Sequence, residues 1–151
     1  VYAYDPFITD GAVFNADGVK QVASVEELYS VSDYVSVHIP ATDQTRKSIN
    51  HALISKLPEG GTIINTARKE VIDEDGLAKA MAERPDIKYA TDIAADIQVI
   101  LSEKFGLRAF ATGKKMGAET KEANINAALA AARQIVDYFT KKDTRFQVNK
   151  W

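Results

Sequence analysis

Short β-branched runs alternate along the chain with segments whose apolar positions recur every three or four residues, the rhythm of a parallel α/β sheet. Residues 1–4 read as a short strand, followed by a loop through Asp10 and Gly11 and a second extended stretch at 19–22. Ser24 and Glu27 form a capping box that opens a short helix over 25–30. Residues 34–39 read as a buried strand that runs into Pro40 and Thr42, and ligands of doubly wound sheets gather at such carboxyl ends. Residues 51–56 are helical, Pro58 and the Gly60-Gly61 pair stop the helix, and 62–65 make the next strand. Asp73 is placed to cap a helix reaching Glu83. Pro85-Asp86 turns the chain, and 87–93 return as a strand with Asp92 at its carboxyl end. A short helix over 97–104, a last strand over 108–112 and a helix capped by Thr120 and running to about residue 140 complete the pattern.

On that final helix Ile125, Ala128, Leu129, Ala132, Ile135 and Val136 share one face, which predicts core packing for all six. The tail beyond it carries a strand-like Phe146-Gln147-Val148. With 151 residues, 46% of them hydrophobic, a single domain with a sizeable core is expected. The net charge of −2 argues against a general nucleic-acid-binding role. Cysteine is absent, which removes disulfides and thiol catalysis, and two histidines make a metal site unexpected. No apolar run approaches a membrane span and no leader is recognisable, so the cytoplasm is the expected location.

The most informative segment is Asn65-Thr66-Ala67-Arg68-Lys69-Glu70-Val71-Ile72-Asp73-Glu74-Asp75-Gly76-Leu77. It sets a permanent cation between a buried strand and a helix. Arg presents a planar fork of donors that pairs carboxylates bidentately, so Arg68 suits an anionic substrate and polarisation of a neighbouring carbonyl. Taken alone it also fits local capping or pairing. The segment resembles the signature of the NAD-dependent D-2-hydroxyacid dehydrogenases. So do three further stretches in the same order: Ser36-Val37-His38-Ile39-Pro40-Ala41-Thr42, similar to that family's H-x-P-x-T loop; Ala90-Thr91-Asp92-Ile93, similar to its A-x-D-V stretch; and Gly117-Ala118-Glu119-Thr120, similar to its G-x-x-T element. Val1-Tyr2-Ala3-Tyr4-Asp5-Pro6 resembles the end of the second strand of the cofactor domain.

The resemblance implies NAD as cofactor, with Asp5 on the adenosine ribose, Asp92 at the nicotinamide amide, and Pro6, His38, Pro40, Thr42, Thr66 and Ala67 around it. An acid at position 5 would favour NAD over NADP. Asp5-Pro6 also fits a simple turn, and His38 could only satisfy local hydrogen bonds. His51 opens a helix and is expected to be exposed. The glycine fingerprint that should precede the ribose-binding acid by about 20 residues is missing, and none of the eight glycines forms a G-x-G. The chain therefore reads as the C-terminal half of a subunit, with the N-terminal half as a missing partner. The expected architecture is α/β, a partial Rossmann-type parallel sheet lacking its first strand and glycine-rich turn, with a long C-terminal helix. Residues 1–113 would be the partial NAD-binding domain and 114–151 the active-site loop, helix and returning tail.

In the family a Pro-His pair commonly precedes the G-x-x-T element. Here the sequence is Thr112-Gly113-Lys114-Lys115-Met116-Gly117, which puts Lys115 at the histidine position. That substitution is similar to a short form of the phosphoglycerate dehydrogenases within the family, and it implies Lys115 as the proton carrier. A lysine serves there only if burial or a neighbouring cation such as Arg68 lowers its pKa from about 10.4 toward neutrality. A solvated Lys114–Lys115 pair is the competing reading. The carboxylate that orients the acceptor usually lies five residues after the Asp of A-x-D-V. Here that residue is Ile97, and Asp96 is the neighbouring candidate. The implied reaction is oxidation of a small 2-hydroxy acid, with 3-phospho-D-glycerate the substrate the lysine form suggests, in a homodimer. The alternative is a catalytically inert α/β fragment that only folds or associates, because loss of a central strand leaves its neighbours with open edges.

Overall fold

The computed structural model describes residues 1–8, 18–115 and 120–149. It forms two compact units, Val1–Lys115 and Met116–Trp151. In the first, β1 (Tyr2–Ala3) pairs in parallel with β2 (Lys20–Gln21) as a separate two-stranded sheet. Then come α1 (Val25–Val31), β3 (Tyr34–Val37), α2 (His51–Ile54), β4 (Thr62–Asn65), a 3₁₀ turn (Lys69–Val71), α3 (Glu74–Glu83), β5 (Lys88–Thr91), α4 (Gln98–Phe105), a second 3₁₀ turn (Gly106–Arg108) and β6 (Ala109–Ala111). Strands β3 to β6 form one sheet in sequential order, every pair parallel. All four carboxyl ends therefore lie along one edge. Among the described residues β1 pairs only with β2, and β3 only with β4.

Local chemistry sets the element ends. Ser24 Oγ accepts the Glu27 N–H at 3.1 Å while Glu27 Oε2 reaches back to Ala23 N–H at 2.8 Å, the reciprocal pairing of a capping box displaced by one residue. Asn50 Oδ1 caps α2 through Leu53 N–H. Asp73 occupies the N-cap position of α3 without a side-chain capping bond, so only its backbone carbonyl serves that end, accepting from Leu77. After α2 the chain turns at Gly60, whose φ of +78° is open only to glycine at low cost. Gly60 N–H donates to Asp86 Oδ2, and Arg84 clamps the same carboxylate while donating to the carbonyls of Leu57 and Pro58. The Arg84 guanidinium and the Gly60 N–H together hold the Asp86 carboxyl well below its ordinary value.

The core lies on one side of the four-stranded sheet. Val35, Val37, Ile63 and Tyr89 alternate inward and meet Tyr29 of α1, Leu53 and Ile54 of α2, Leu77, Ala80 and Met81 of α3, and Leu101 and Phe105 of α4. Tyr34 and Phe110, on the opposite face, are 72% and 52% exposed. Parallel sheets are normally covered on both sides; among the described residues of this unit the helices that pack on the sheet lie on one.

The second unit contains α5 (Lys121–Lys141), opened by Thr120 Oγ1 accepting the Ala123 N–H at 3.0 Å. The helix is where it was expected, but its apolar stripe is not core. Ile125, Leu129, Ile135 and Val136 are about half exposed or more, and Ala128 and Ala132 are exposed as well. Three-and-four spacing reports an amphipathic face and not what covers it. The segment Phe146-Gln147-Val148 is not a strand either. Asp143 binds Arg145 through a bidentate ion pair and the Gln147 N–H bonds back to Thr144, which coils the tail. β4 has the bounds expected of it, and the remaining strands stop one or two residues short of their expected ends because pairing ceases there. His51 is half-buried, its Nε2 on Glu83 Oε2 at 2.7 Å.

Candidate active site

Strand ends place the chemistry. β3 delivers His38, β4 delivers Thr66 to Arg68, β5 delivers Asp92, and β6 leads into Thr112 to Lys115. Arg68, Lys69, Glu70, Asp92, Ile93, Ala94, Thr112, Gly113, Lys114 and Lys115 line a cleft of about 570 Å³ at this edge. Of the residues singled out from sequence, Arg68, Asp92 and Lys115 thus share one wall system, with Lys114 beside them. Four cations and two carboxylates face the cleft, the balance expected of a site for an anion.

Arg68 is exposed, and among the described residues its guanidinium makes one hydrogen bond, from Nη1 to the Ala67 carbonyl at 2.7 Å. Among the described residues nothing else engages its fork. The segment that carries it is braced from below. Lys47 N–H donates to Glu70 O, Ile49 N–H to Val71 O, and Asp73 N–H to Ile49 O, a short parallel ladder between the 47–49 and 70–73 segments. Asp92 is buried. Lys115 is half-buried and Lys114 exposed.

Asp96 lies outside the cleft lining, with Oδ1 2.6 Å from Lys69 Nζ. That hydrogen bond holds the Lys69 ammonium above the ordinary lysine range. Asp96 is itself fixed through its backbone, because Glu74 accepts the Asp96 and Ile97 N–H groups at 2.9 and 3.1 Å. Lys69 and Glu74 were not singled out from sequence. They sit inside the signature segment, but their partner is 22 to 27 residues away and no local spacing reveals it.

The remaining candidates lie apart from this cleft. Asp5 is half-buried and its Oδ1 accepts the Phe7 N–H at 2.9 Å, the turn its Asp-Pro sequence also allows. His38 Nε2 contacts Ser36 Oγ at 2.8 Å, and Pro40 is exposed. Thr42 anchors the following turn, its N–H on Thr45 Oγ1 and its carbonyl accepting from Thr45 and Arg46. Thr66 is exposed, while Ala67 packs against the core. Gly117, Ala118 and Glu119 of the G-x-x-T element, like the loop at Asp10 and Gly11, lie outside the described residues. Among the described residues no three potential ligands cluster for a metal, and no helix is long and apolar enough to cross a membrane.

A parallel sheet with helices packed on it and an anion-suited cleft at its carboxyl edge defines an α/β protein of the class that binds ligands at its strand ends. The particular family follows from similarity. Residues 1–109 match the profile of the D-isomer specific 2-hydroxyacid dehydrogenase NAD binding domain. The chain is 33% identical to a D-3-phosphoglycerate dehydrogenase of Synechocystis over 154 residues, covering 97% of this chain and 26% of that protein. Against the Haemophilus influenzae D-3-phosphoglycerate dehydrogenase the identity is 35%, over 86% of this chain and 33% of the relative. The crystal structure of an NAD⁺-bound 3-phosphoglycerate dehydrogenase from Entamoeba histolytica superposes with a TM-score of 0.78 at 49% identity, covering 98% of this chain and 46% of that one. A D-mandelate dehydrogenase from Rhodotorula graminis shares the fold, with a TM-score of 0.73 at 24% identity. The chain belongs to the D-isomer specific 2-hydroxyacid dehydrogenases, and what it aligns with is their NAD-binding domain. It spans about a quarter to a third of the curated relatives' length and just under half of that solved structure.

Proposed function

We propose that this chain is the cofactor-domain portion of an NAD-dependent dehydrogenase that oxidises a small 2-hydroxy acid, with 3-phospho-D-glycerate the leading substrate and serine biosynthesis its setting in the cytoplasm. The observation that carries the reading is the cleft that joins Arg68, Asp92 and Lys115 at the strand ends of a chain from this family. In it, Arg68 binds the substrate carboxylate through its free donors and polarises the adjacent carbon–oxygen bond. Lys115 Nζ takes the hydroxyl proton as the acid is oxidised and returns it in the reverse direction. Asp96 acts through Lys69, keeping a second ammonium at the cleft rim.

The residues present fit NAD in part. Asp5 stands two residues beyond β1, where its carboxylate would meet a ribose diol, and Asp92 stands buried at the cleft. His38, Pro40, Thr42, Thr66 and Ala67 belong to the loops that would flank the dinucleotide. No G-x-G turn is among these residues to take the pyrophosphate. Bound NAD supplies the hydride acceptor.

The chain by itself is expected to turn over nothing. β1–β2 and β3–β6 stand as separate sheets, as expected when the strand that would join them is supplied by an N-terminal portion of the same polypeptide. This same observation favours a second reading, an inert α/β fragment that associates through its open strand edges. The exposed stripe of α5 around Ile125, Leu129 and Val136 suits a homodimer contact. The deciding experiment is reduction of NAD by 3-phosphoglycerate, measured on the purified polypeptide after its intact mass is known. Turnover by a longer polypeptide, and none by a 16.6 kDa chain, supports the proposal. Absence of turnover with any 2-hydroxy acid at full length refutes it.

A further inference from the structure

One buried amide holds the Arg68 loop. Asn65, the last residue of β4, is completely enclosed, and its side chain bonds the backbone of the two residues after Thr66, the amide of Ala67 and the carbonyl of Arg68. Its Oδ1 accepts the Ala67 N–H at 3.1 Å and its Nδ2 donates to the Arg68 carbonyl at 3.0 Å, with Tyr89 Oη at 3.4 Å as a more distant acceptor. On its main-chain side the Asn65 carbonyl accepts from Thr91 Oγ1 at 2.7 Å, and the same hydroxyl accepts the Ile93 N–H at 3.0 Å. Asn65 thus ties the loop bearing Arg68 to the end of β5 bearing Asp92.

Few side chains could do this. The site asks for an acceptor toward one backbone amide and a donor toward the next carbonyl, both within reach of a short stem in a space closed to water. Asp lacks the donor, Ser and Thr lack the second group, and Gln is one carbon too long. Meanwhile, among the described residues, the Arg68 side chain is tied only to the neighbouring Ala67 carbonyl. We infer that Asn65 is a positioning residue for Arg68, setting where the guanidinium stands in the cleft without touching substrate itself.

This inference rests on the role proposed above for Arg68, and the test keeps the two apart. In the enzyme that carries the glycine-rich portion, Asn65→Ala, Arg68→Ala and the double variant are compared for kcat/KM, for 3-phosphoglycerate binding by calorimetry with NADH present, and for NADH binding alone. A misplacement of about 1 Å is worth on the order of 10²-fold, so Asn65→Ala should lower kcat/KM by roughly that factor and leave NADH binding within about threefold. In the Arg68→Ala background it should add nothing, because the effect passes through Arg68. Additive losses in the double variant, or an unaltered kcat/KM in the single one, overturn the inference. If Asn65→Ala fails to bind NADH, the cycle is repeated with Asn65→Asp, which keeps the acceptor for Ala67 and turns an oxygen toward the Arg68 carbonyl. A parent enzyme that binds 3-phosphoglycerate without oxidising it defeats the proposed reaction alone, and the binding cycle then judges Asn65.

Discussion

Replacing Gly76 by alanine sets two effects of opposite sign against each other. Gly76 lies in the first turn of α3, buried where that helix passes the start of α2. In an unobstructed helix the exchange would stabilise by at most about 1 kcal/mol. Here the new methyl carbon would stand 2.5 Å from Asp73 Oδ2 and 2.8 Å from the His51 backbone nitrogen. Asp73 makes no side-chain capping bond and can swing aside. The His51 nitrogen is main chain, locked at the start of α2, so relief requires the two helices to part. Overpacking of this kind costs about 1–3 kcal/mol, and a backbone obstacle puts this case at the upper end. The net expectation is a loss of about 2 kcal/mol, which for a chain of this size lowers Tm by roughly 4–8 °C. Thermal and urea unfolding of Gly76→Ala measure it directly. Adding Asp73→Ala should recover only part of the loss, because the main-chain contact remains. A Gly76→Ala protein as stable as its parent, or more so, would refute the close approach of α2 and α3.

Two further outcomes follow from the charged groups. Asp86 has a folded pKa held below its ordinary value of 3.8, so its contribution is complete above that pH and disappears as the pH falls below it. Asp86→Asn should therefore lose about 1–2 kcal/mol at neutral pH, discounted for a side chain a quarter exposed, and show a shallower acid transition below about pH 4. Coincident acid unfolding curves for the two proteins would contradict this. Arg68→Lys keeps the charge and loses the fork, so KM for the hydroxy acid should rise about tenfold or more with NADH binding unchanged. An unaltered KM would make Arg68 a local structural residue.

Much of this architecture was legible because its signals are local. Ser24 with Glu27, and Thr120 before a periodic run, announce helix starts through groups three residues apart, and both caps are present. The β-branched runs at Tyr34 and Thr62 announce strands that do pair. Spacing was silent on what requires a second surface. The stripe on α5 was read as core because a 3.6-residue period marks a face and not its partner. Phe146-Gln147-Val148 looked extended, but the bidentate hold of Asp143 on Arg145 decides that segment. At the site, Arg68, Asp92 and Lys115 were found from motifs, and the cleft brings them together. The Lys69–Asp96 pair was missed because its members lie 27 residues apart, and the Asn65 brace because Asn65 reads from sequence only as the last residue of a strand, although its bonds to Ala67 and Arg68 are local.

If Arg68 and Lys115 serve one reaction in one cleft, Lys115→Ala in the full-length enzyme is the sharpest probe of it. Turnover of 3-phosphoglycerate with NAD is measured beside NADH binding. The expected result is a kcat lower by about 10²-fold or more, the range of general acid–base catalysis, while NADH binds as in the parent. Unchanged turnover would remove Lys115 from the chemistry and with it the mechanism proposed for this cleft.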